Sequence, residues 1–344
     1  MPSGPVNPLP SRITVAADAS ASGHCLHPKS IANLQPDLIR PRASGVMRAR
    51  YGPTGVHLFE RASGVNILLD EIPVRAEQWS RAPRQVSIAL TNTCDLSCPY
   101  CYAPKFRSSL NFETLCGWLA ELDANGCIGV GFGGGEPTLY PRLVELCQWA
   151  TANTRMAVTM TSHGHHLDNG LVGALAGNIN FMRISMDGIE STYESLRRRP
   201  FDDLLGRLRL IRGIVPFGIN YVVNEATIGD LARGLALAQE IGATEFLLLP
   251  EQAVGGSGGI DAGTRETLRA FVHAYRGQVR LAVSEHASEG LPVCDPLASE
   301  SGLRAYAHLD AAGMLSASSF AKEGVPVTDD FMSALTQLQT KISP

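Results

Sequence analysis

From Gln85 onward the chain alternates short β-branched runs with amphipathic helical stretches, and that alternation leaves few folds open. Strands are predicted at Val86–Leu90, Ile128–Phe132, Met156–Thr161, Phe181–Ser185, Ile219–Val223 and Phe246–Leu249. Between them, helices are predicted at Phe112–Asn125, Leu143–Ala152, Leu171–Ala176, Glu190–Ile211 and Leu231–Ile241. Six βα repeats are too few for a closed eight-fold barrel and suit an open six-unit one. Ligands in such folds bind beyond the carboxyl ends of the strands, so the residues found there should carry the chemistry.

Either side of this core the pattern changes. Residues 1–45 are rich in Pro, Ser, Ala and Gly without a sustained period and read as a mobile tail. Residues 46–84 hold short alternating bursts broken at Gly52-Pro53 and read as a small β meander. The core is placed at 85–277 and a C-terminal extension at 278–344.

The chain has 344 residues, 44% hydrophobic and 18% charged, as expected of a globular enzyme with a sizeable core. A formal net charge of −4 gives no electrostatic footprint for nucleic acid or an anionic membrane. No apolar run approaches the roughly 20 residues of a membrane span, and the first residues show no signal-peptide pattern. A cytoplasmic location is expected, where thiols stay reduced.

Three of the eight cysteines lie just past the first predicted strand, in Thr91-Asn92-Thr93-Cys94-Asp95-Leu96-Ser97-Cys98-Pro99-Tyr100-Cys101-Tyr102. The spacing is C-x3-C-x2-C. Three thiolates can hold three irons of a [4Fe–4S] cube and leave the fourth iron open, whereas an electron-transfer cluster takes four cysteines. A zinc knot would want four ligands, and no second C-x2-C pair exists. Zinc or a purely structural role stays as the lesser reading. Cys116, Cys127 and Cys147 read as small buried hydrophobes.

The other strand ends are as unusual. Gly133-Gly134-Gly135-Glu136-Pro137 follows the second strand, where consecutive glycines let backbone approach a ligand. Thr161-Ser162-His163-Gly164-His165-His166 follows the third and Ser185-Met186-Asp187-Gly188 the fourth. Adjacent His165 and His166 cannot both face one metal on a regular element. They are read as a polar loop at the cavity mouth, with substrate contact as the other possibility.

Together these motifs resemble the radical S-adenosylmethionine (SAM) superfamily over roughly Gln85 to Pro250. The resemblance implies a partial (β/α)6 TIM-like barrel, one [4Fe–4S] cluster on Cys94, Cys98 and Cys101, and SAM as cofactor. It implies SAM contacts from Tyr100, Gly134, Gly135, Glu136, Ser162, Ser185 and Asp187. Arg197, chosen over Arg198, would pair with the SAM carboxylate, for which a guanidinium fork is suited. Asn220 and Leu249 complete the implied cradle, and Glu251 and Gln252 face the substrate side.

The implied activity is reductive cleavage of SAM to a 5′-deoxyadenosyl radical that takes hydrogen from a substrate carbon, with an electron donor such as flavodoxin or ferredoxin. Whether the outcome is an oxidation, a transfer or an isomerisation stays open. Residues 305–319, followed by a helix at Phe331–Lys341, are similar to a SPASM or twitch extension in which serines and alanine replace the cluster cysteines. That leans toward a peptide or protein substrate. A small molecule such as a nucleoside or sugar is the alternative, and a non-catalytic iron–sulfur sensor is the alternative of another class. Cys294, in Leu291-Pro292-Val293-Cys294-Asp295-Pro296, is either a buried residue or a hydrogen-atom donor to substrate.

Overall fold

The structure, a computed structural model, describes residues 13–16, 47–254, 258–284 and 288–342. It opens with strand β1 (Ile13–Ala16), then β2 (Arg48–Gly52), β3 (Gly55–Glu60) and β4 (Val65–Leu69). The last three form a separate antiparallel meander. The core follows as β5 (Gln85–Thr91), α1 (Phe112–Ala124), β6 (Gly129–Gly134), α2 (Leu143–Asn153), β7 (Ala157–Ser162) and α3 (Asn169–Leu175). It continues with β8 (Phe181–Ser185), α4 (Glu190–Arg197), α5 (Phe201–Ile211), β9 (Phe217–Val223), α6 (Leu231–Glu240) and β10 (Glu245–Pro250). Beyond it lie α7 (Ala262–Ala274), β11 (Arg280–Ser284), β12 (Val293–Cys294), β13 (Tyr306–Leu309), β14 (Met314–Ser316), β15 (Gly324–Pro326) and α8 (Phe331–Ile342).

Strands β5 to β10 lie side by side in chain order, every neighbouring pair parallel, as the βα alternation requires. Their outward residues, among them Val130, Phe132, Val158, Met182, Ile184 and Ile219, are fully buried under the helices. Helix α1 shows how each helix is placed. The Asn111 side chain accepts from the Thr114 N–H at 2.9 Å and starts the helix, and Leu115, Trp118, Leu119 and Leu122 form its buried stripe. The inward residues form the barrel lumen. In β6 these are Gly129, Gly131 and Gly133, so one wall carries no side chains at all.

Four features differ from the sequence expectation. The parallel sheet does not stop at six strands, since β11, β1 and β12 extend it beyond β10, and the boundary expected at 277 falls just before β11. Strand β1 lies inside the stretch expected to be a tail; the rest of 1–45 lies outside the described residues. The helix expected over Glu190–Ile211 is two helices. Pro200 bars its predecessor from the α conformation, and Arg198 breaks the chain in the left-handed region at φ +55°. Helix α7 was not anticipated.

The C-terminal extension contains the expected hairpin, β13–β14, and the terminal helix α8. The hairpin's first strand, β13, joins the barrel directly, pairing parallel with β5 over Tyr306↔Gln85 to Leu309↔Ile88. Buried Arg50 ties the meander to this extension. Its guanidinium donates to Glu300 Oε1 at 2.6 and 2.9 Å and to the carbonyls of Ala82, Gly126 and Arg304.

Candidate active site

Cys94, Cys98 and Cys101 are free, half-buried thiols on the loop leaving β5, and all three border a cavity of about 250 Å³. The register of β5 against β6 shifts between Ala89 and Thr91, an irregularity that turns the strand end toward the lumen. The glycine run then docks against this loop. The Gly135 and Glu136 N–H groups donate to the Thr91 and Thr93 carbonyls at 2.7 and 2.8 Å. A Cβ on Gly135 would stand 2.3 Å from the Thr93 carbonyl oxygen, and one on Gly134, at φ +121°, 2.3 Å from that of Thr91. These two glycines therefore hold the cysteine loop. At Gly133, which borders the cavity, a Cβ would meet nothing within 4 Å, so the backbone there is open to a ligand.

The carboxylates around the mouth are heavily bonded. Glu136 Oε1 accepts from the Ser162 hydroxyl at 2.8 Å and from both the hydroxyl and N–H of Thr138, while Oε2 accepts from the His163 N–H at 2.9 Å. Asp187 is fully buried and does not border the cavity. It accepts from the Tyr100 hydroxyl at 2.6 Å, from the Val222 N–H at 2.7 Å and from the Arg197 guanidinium. Asp187 thereby braces two cavity residues, Tyr100 and Arg197. Burial works against the Arg197 charge, but the Asp187 carboxylate beside it keeps the guanidinium protonated. Burial and the same carboxylate push the Tyr100 phenol up.

A third carboxylate sits inside the cysteine motif. Asp95 accepts from His163 Nε2 at 2.9 Å and from Arg199 Nη2 at 2.9 Å, and His166 Nε2 lies 3.3 Å away without a hydrogen bond. Burial alone would raise its carboxyl; the bond and charge from His163 hold it well below the usual carboxylate range. His163 Nδ1 accepts from the His165 N–H at 3.1 Å, which leaves Nε2 as the donor to Asp95. The break between α4 and α5 makes this possible by sending Arg197 to Asp187 and Arg199 to Asp95. Of the three histidines, His163 borders the cavity. His165 bonds the Tyr193 hydroxyl at 2.8 Å, and burial lowers it to about 4.

Every sequence-expected site residue other than Asp187 and Cys294 borders this one cavity: the three cysteines, Tyr100, Gly134, Gly135, Glu136, Ser162, Ser185, Arg197, Asn220 and Leu249. Cys294 is half-buried in β12, the outermost strand beyond β1 and β11. It does not border the cavity, so a hydrogen-donor role draws no support from its position.

Sequence reasoning missed the part contributed by β13. Tyr306 and His308 alternate inward from it, and Ser87 of β5 bonds both, to Tyr306 Oη at 2.5 Å and to His308 Nδ1 at 2.6 Å. Burial lowers His308 to about 4. Phe320, past the hairpin, packs on Tyr102 with ring centroids 5.0 Å apart and closes the cavity beside Cys101. The period-2 placement of Tyr306 and His308 was the available signal, but their partner strand lies far away in the sequence.

Residues 88–232 match the family model of the radical SAM superfamily. The chain carries a radical SAM domain. It is similar to a PqqA peptide cyclase of Gluconobacter oxydans, 28% identical over 61% of this chain and 60% of that protein. It is also similar to a GTP 3′,8-cyclase of Chlorobaculum tepidum, 30% identical over 37% of this chain and 40% of that one. The aligned stretches span about half the length of the curated relatives. Streptococcus suis SuiB, solved bound to its precursor peptide SuiA, shares the fold at a TM-score of 0.68 and 14% identity, covering 84% of this chain and 87% of that one.

The superfamily uses a [4Fe–4S] cluster and SAM, and the residues here fit both. Three thiols, no more among the described residues, border the cavity, which suits a cube with one open iron. Burial pushes the Cys94 and Cys98 thiols up, so taking iron releases protons. For SAM, the open face of Gly133, the orphaned Nε of Arg197 and the unpartnered Oδ1 of Asn220 offer unused bonding capacity on one side of the lumen. No helix among the described residues is long and apolar enough to cross a membrane.

Proposed function

We propose that this chain is a radical SAM enzyme acting on a peptide or protein side chain. When bound, the cluster and SAM would supply the 5′-deoxyadenosyl radical that removes hydrogen from an unactivated carbon. The observation that carries the reading is the convergence of three cysteines, the Gly133–Glu136 turn, Ser162, Ser185 and Arg197 on one cavity at the carboxyl ends of β5 to β8.

The protein's own part is to bind, orient and exclude water. Cys94, Cys98 and Cys101 would hold the cluster. Arg197, fixed by Asp187, offers its free nitrogen to the SAM carboxylate, and the Gly133 backbone and Ser185 offer contacts to the rest of the molecule. Leu247, Leu249, Val222 and Phe320 give the lumen apolar walls that keep water from a reactive carbon. Glu251 and Gln252 stand at the border where a substrate would enter.

Similarity to a peptide cyclase and the hairpin-plus-helix extension favour a peptide substrate. The likeness to a GTP cyclase supports the second reading, a small-molecule substrate. Anaerobic reconstitution followed by SAM and a strong reductant tests the activity. Release of 5′-deoxyadenosine and methionine is expected. S-adenosylhomocysteine as the main product, or no SAM cleavage by a fully loaded protein, would overturn it.

A further inference from the structure

One row of the lumen has a charge imbalance that the SAM cradle does not use. The strand register sets Thr161, Arg183, Gly218, Glu245 and Arg280 side by side across β7 to β11. Gly218 has no side chain to stand between its neighbours, and a Cβ there would lie 2.8 Å from the Glu245 carbonyl oxygen. Arg183 spans this gap to pair with Glu245, and Arg280 pairs with the same carboxylate from the other side. Two guanidinium groups thus share one carboxylate. Arg183 is 2% exposed and borders the cavity, and its Nε and Nη1 have no hydrogen-bond partner.

A buried cation with idle donors is costly unless something supplies the missing acceptors. Among the described residues of the cavity wall, none does. Glu136 is bonded to Ser162, Thr138 and His163, and Glu251 takes the Asn224 amide at 2.7 Å. The Phe181 ring, 5.3 Å from the Arg183 guanidinium carbon, offers only a π face.

We propose that Arg183 forms a subsite for an anionic oxygen group of the substrate, a carboxylate or a phosphate. The inference rests on the reading of this cavity as the reaction chamber. It adds that the substrate is acidic and that its charged end is held at the barrel floor, below the level of the cysteines. A planar guanidinium with two free donors matches the paired oxygens of either group, which a lysine would not. Arg183 would then fix which carbon of the substrate comes to rest beneath the SAM cradle.

The test is calorimetric titration of the cluster-loaded full chain, with SAM at saturation so that Arg197 is covered. Glutarate serves as the carboxylate probe and inorganic phosphate as the other. One site per chain is expected for one of them, and which one tells the two chemistries apart. Arg183→Gln should weaken that binding by roughly tenfold or more, the measure of a charge-assisted bond. Its iron content reports that it has folded. Should glutamine not fold, Arg183→Lys keeps the pair with Glu245 but loses the second donor, and the same loss is expected. No saturable binding of either probe, or unchanged affinity in the folded variant, overturns the subsite. Binding by a protein that fails to cleave SAM would instead sink the proposed function and leave the anion site standing.

Discussion

Behind the mouth of the cavity Asp187 accepts three hydrogen bonds, and at the mouth Glu136 accepts four, whereas at its floor Arg183 and Arg280 divide a single carboxylate between them. The mouth carboxylates have spent their bonding capacity on the protein. Their work is to fix Tyr100, Arg197, Ser162 and His163 before any cofactor arrives, which is how a site avoids reorganising during the reaction. The floor keeps capacity in reserve. The carboxylates that frame the cofactor's region are bonded shut, while Arg183 keeps donors for the proposed anion.

The largest effect should come from the mouth's metal ligands. Cys98→Ala is expected to reduce iron from about four per chain to almost none; retention of a full cluster would show that another side chain can take its place. Asp187→Ala follows. It strands the Arg197 charge and the Tyr100 hydroxyl in a buried setting, so urea unfolding should show a loss of about 3–5 kcal/mol, with weaker SAM binding. A loss under about 1 kcal/mol would mean that the brace is not one.

The floor should respond less. Arg183→Met leaves Glu245 its partner Arg280, so unfolding is expected to cost less than about 2 kcal/mol. A cost matching that of Asp187→Ala would erase the distinction between the two ends.

The smallest effect concerns His308, which burial holds at about 4, below its unfolded value near 6.5. The unfolded chain binds more protons between these values, so this contribution is complete above pH 6.5 and fades as the pH falls toward 4. His165 behaves alike. Urea midpoints for His308→Asn should fall less steeply over this range, by up to about 1.4 kcal/mol per pH unit. An unaltered slope would mean that water reaches the imidazole.

Much of the mouth was legible because its residues are local to strand ends. The cysteine spacing, the triple glycine and the serines at 162 and 185 all follow predicted strands directly. What was not legible depends on distant partners. That Asp187 also braces Tyr100, Val222 and Arg197 shows only in the fold. The run Arg197-Arg198-Arg199 reads as a solvated helix end, and only the Arg198–Pro200 break reveals that two of its members reach different carboxylates. Arg183 sits in a strand of ordinary pattern, and its imbalance exists only once β8, β10 and β11 are in register. The extra parallel strands escaped because β1 lies in sequence without period and β12 is two residues long.

The pairing of β5 with β13 has a consequence in time. Ser87 and Tyr306, bonded across that seam, are 219 residues apart. At about 5–20 residues per second, translation takes roughly 10–40 s to travel from one to the other. For that interval the strand leading into the cysteine loop has its neighbour β6 on one side and an uncovered edge on the other, the kind of edge on which chains misassemble. The segment proposed to hold the cluster is therefore among the first parts of the barrel to be made and the last to be sheltered.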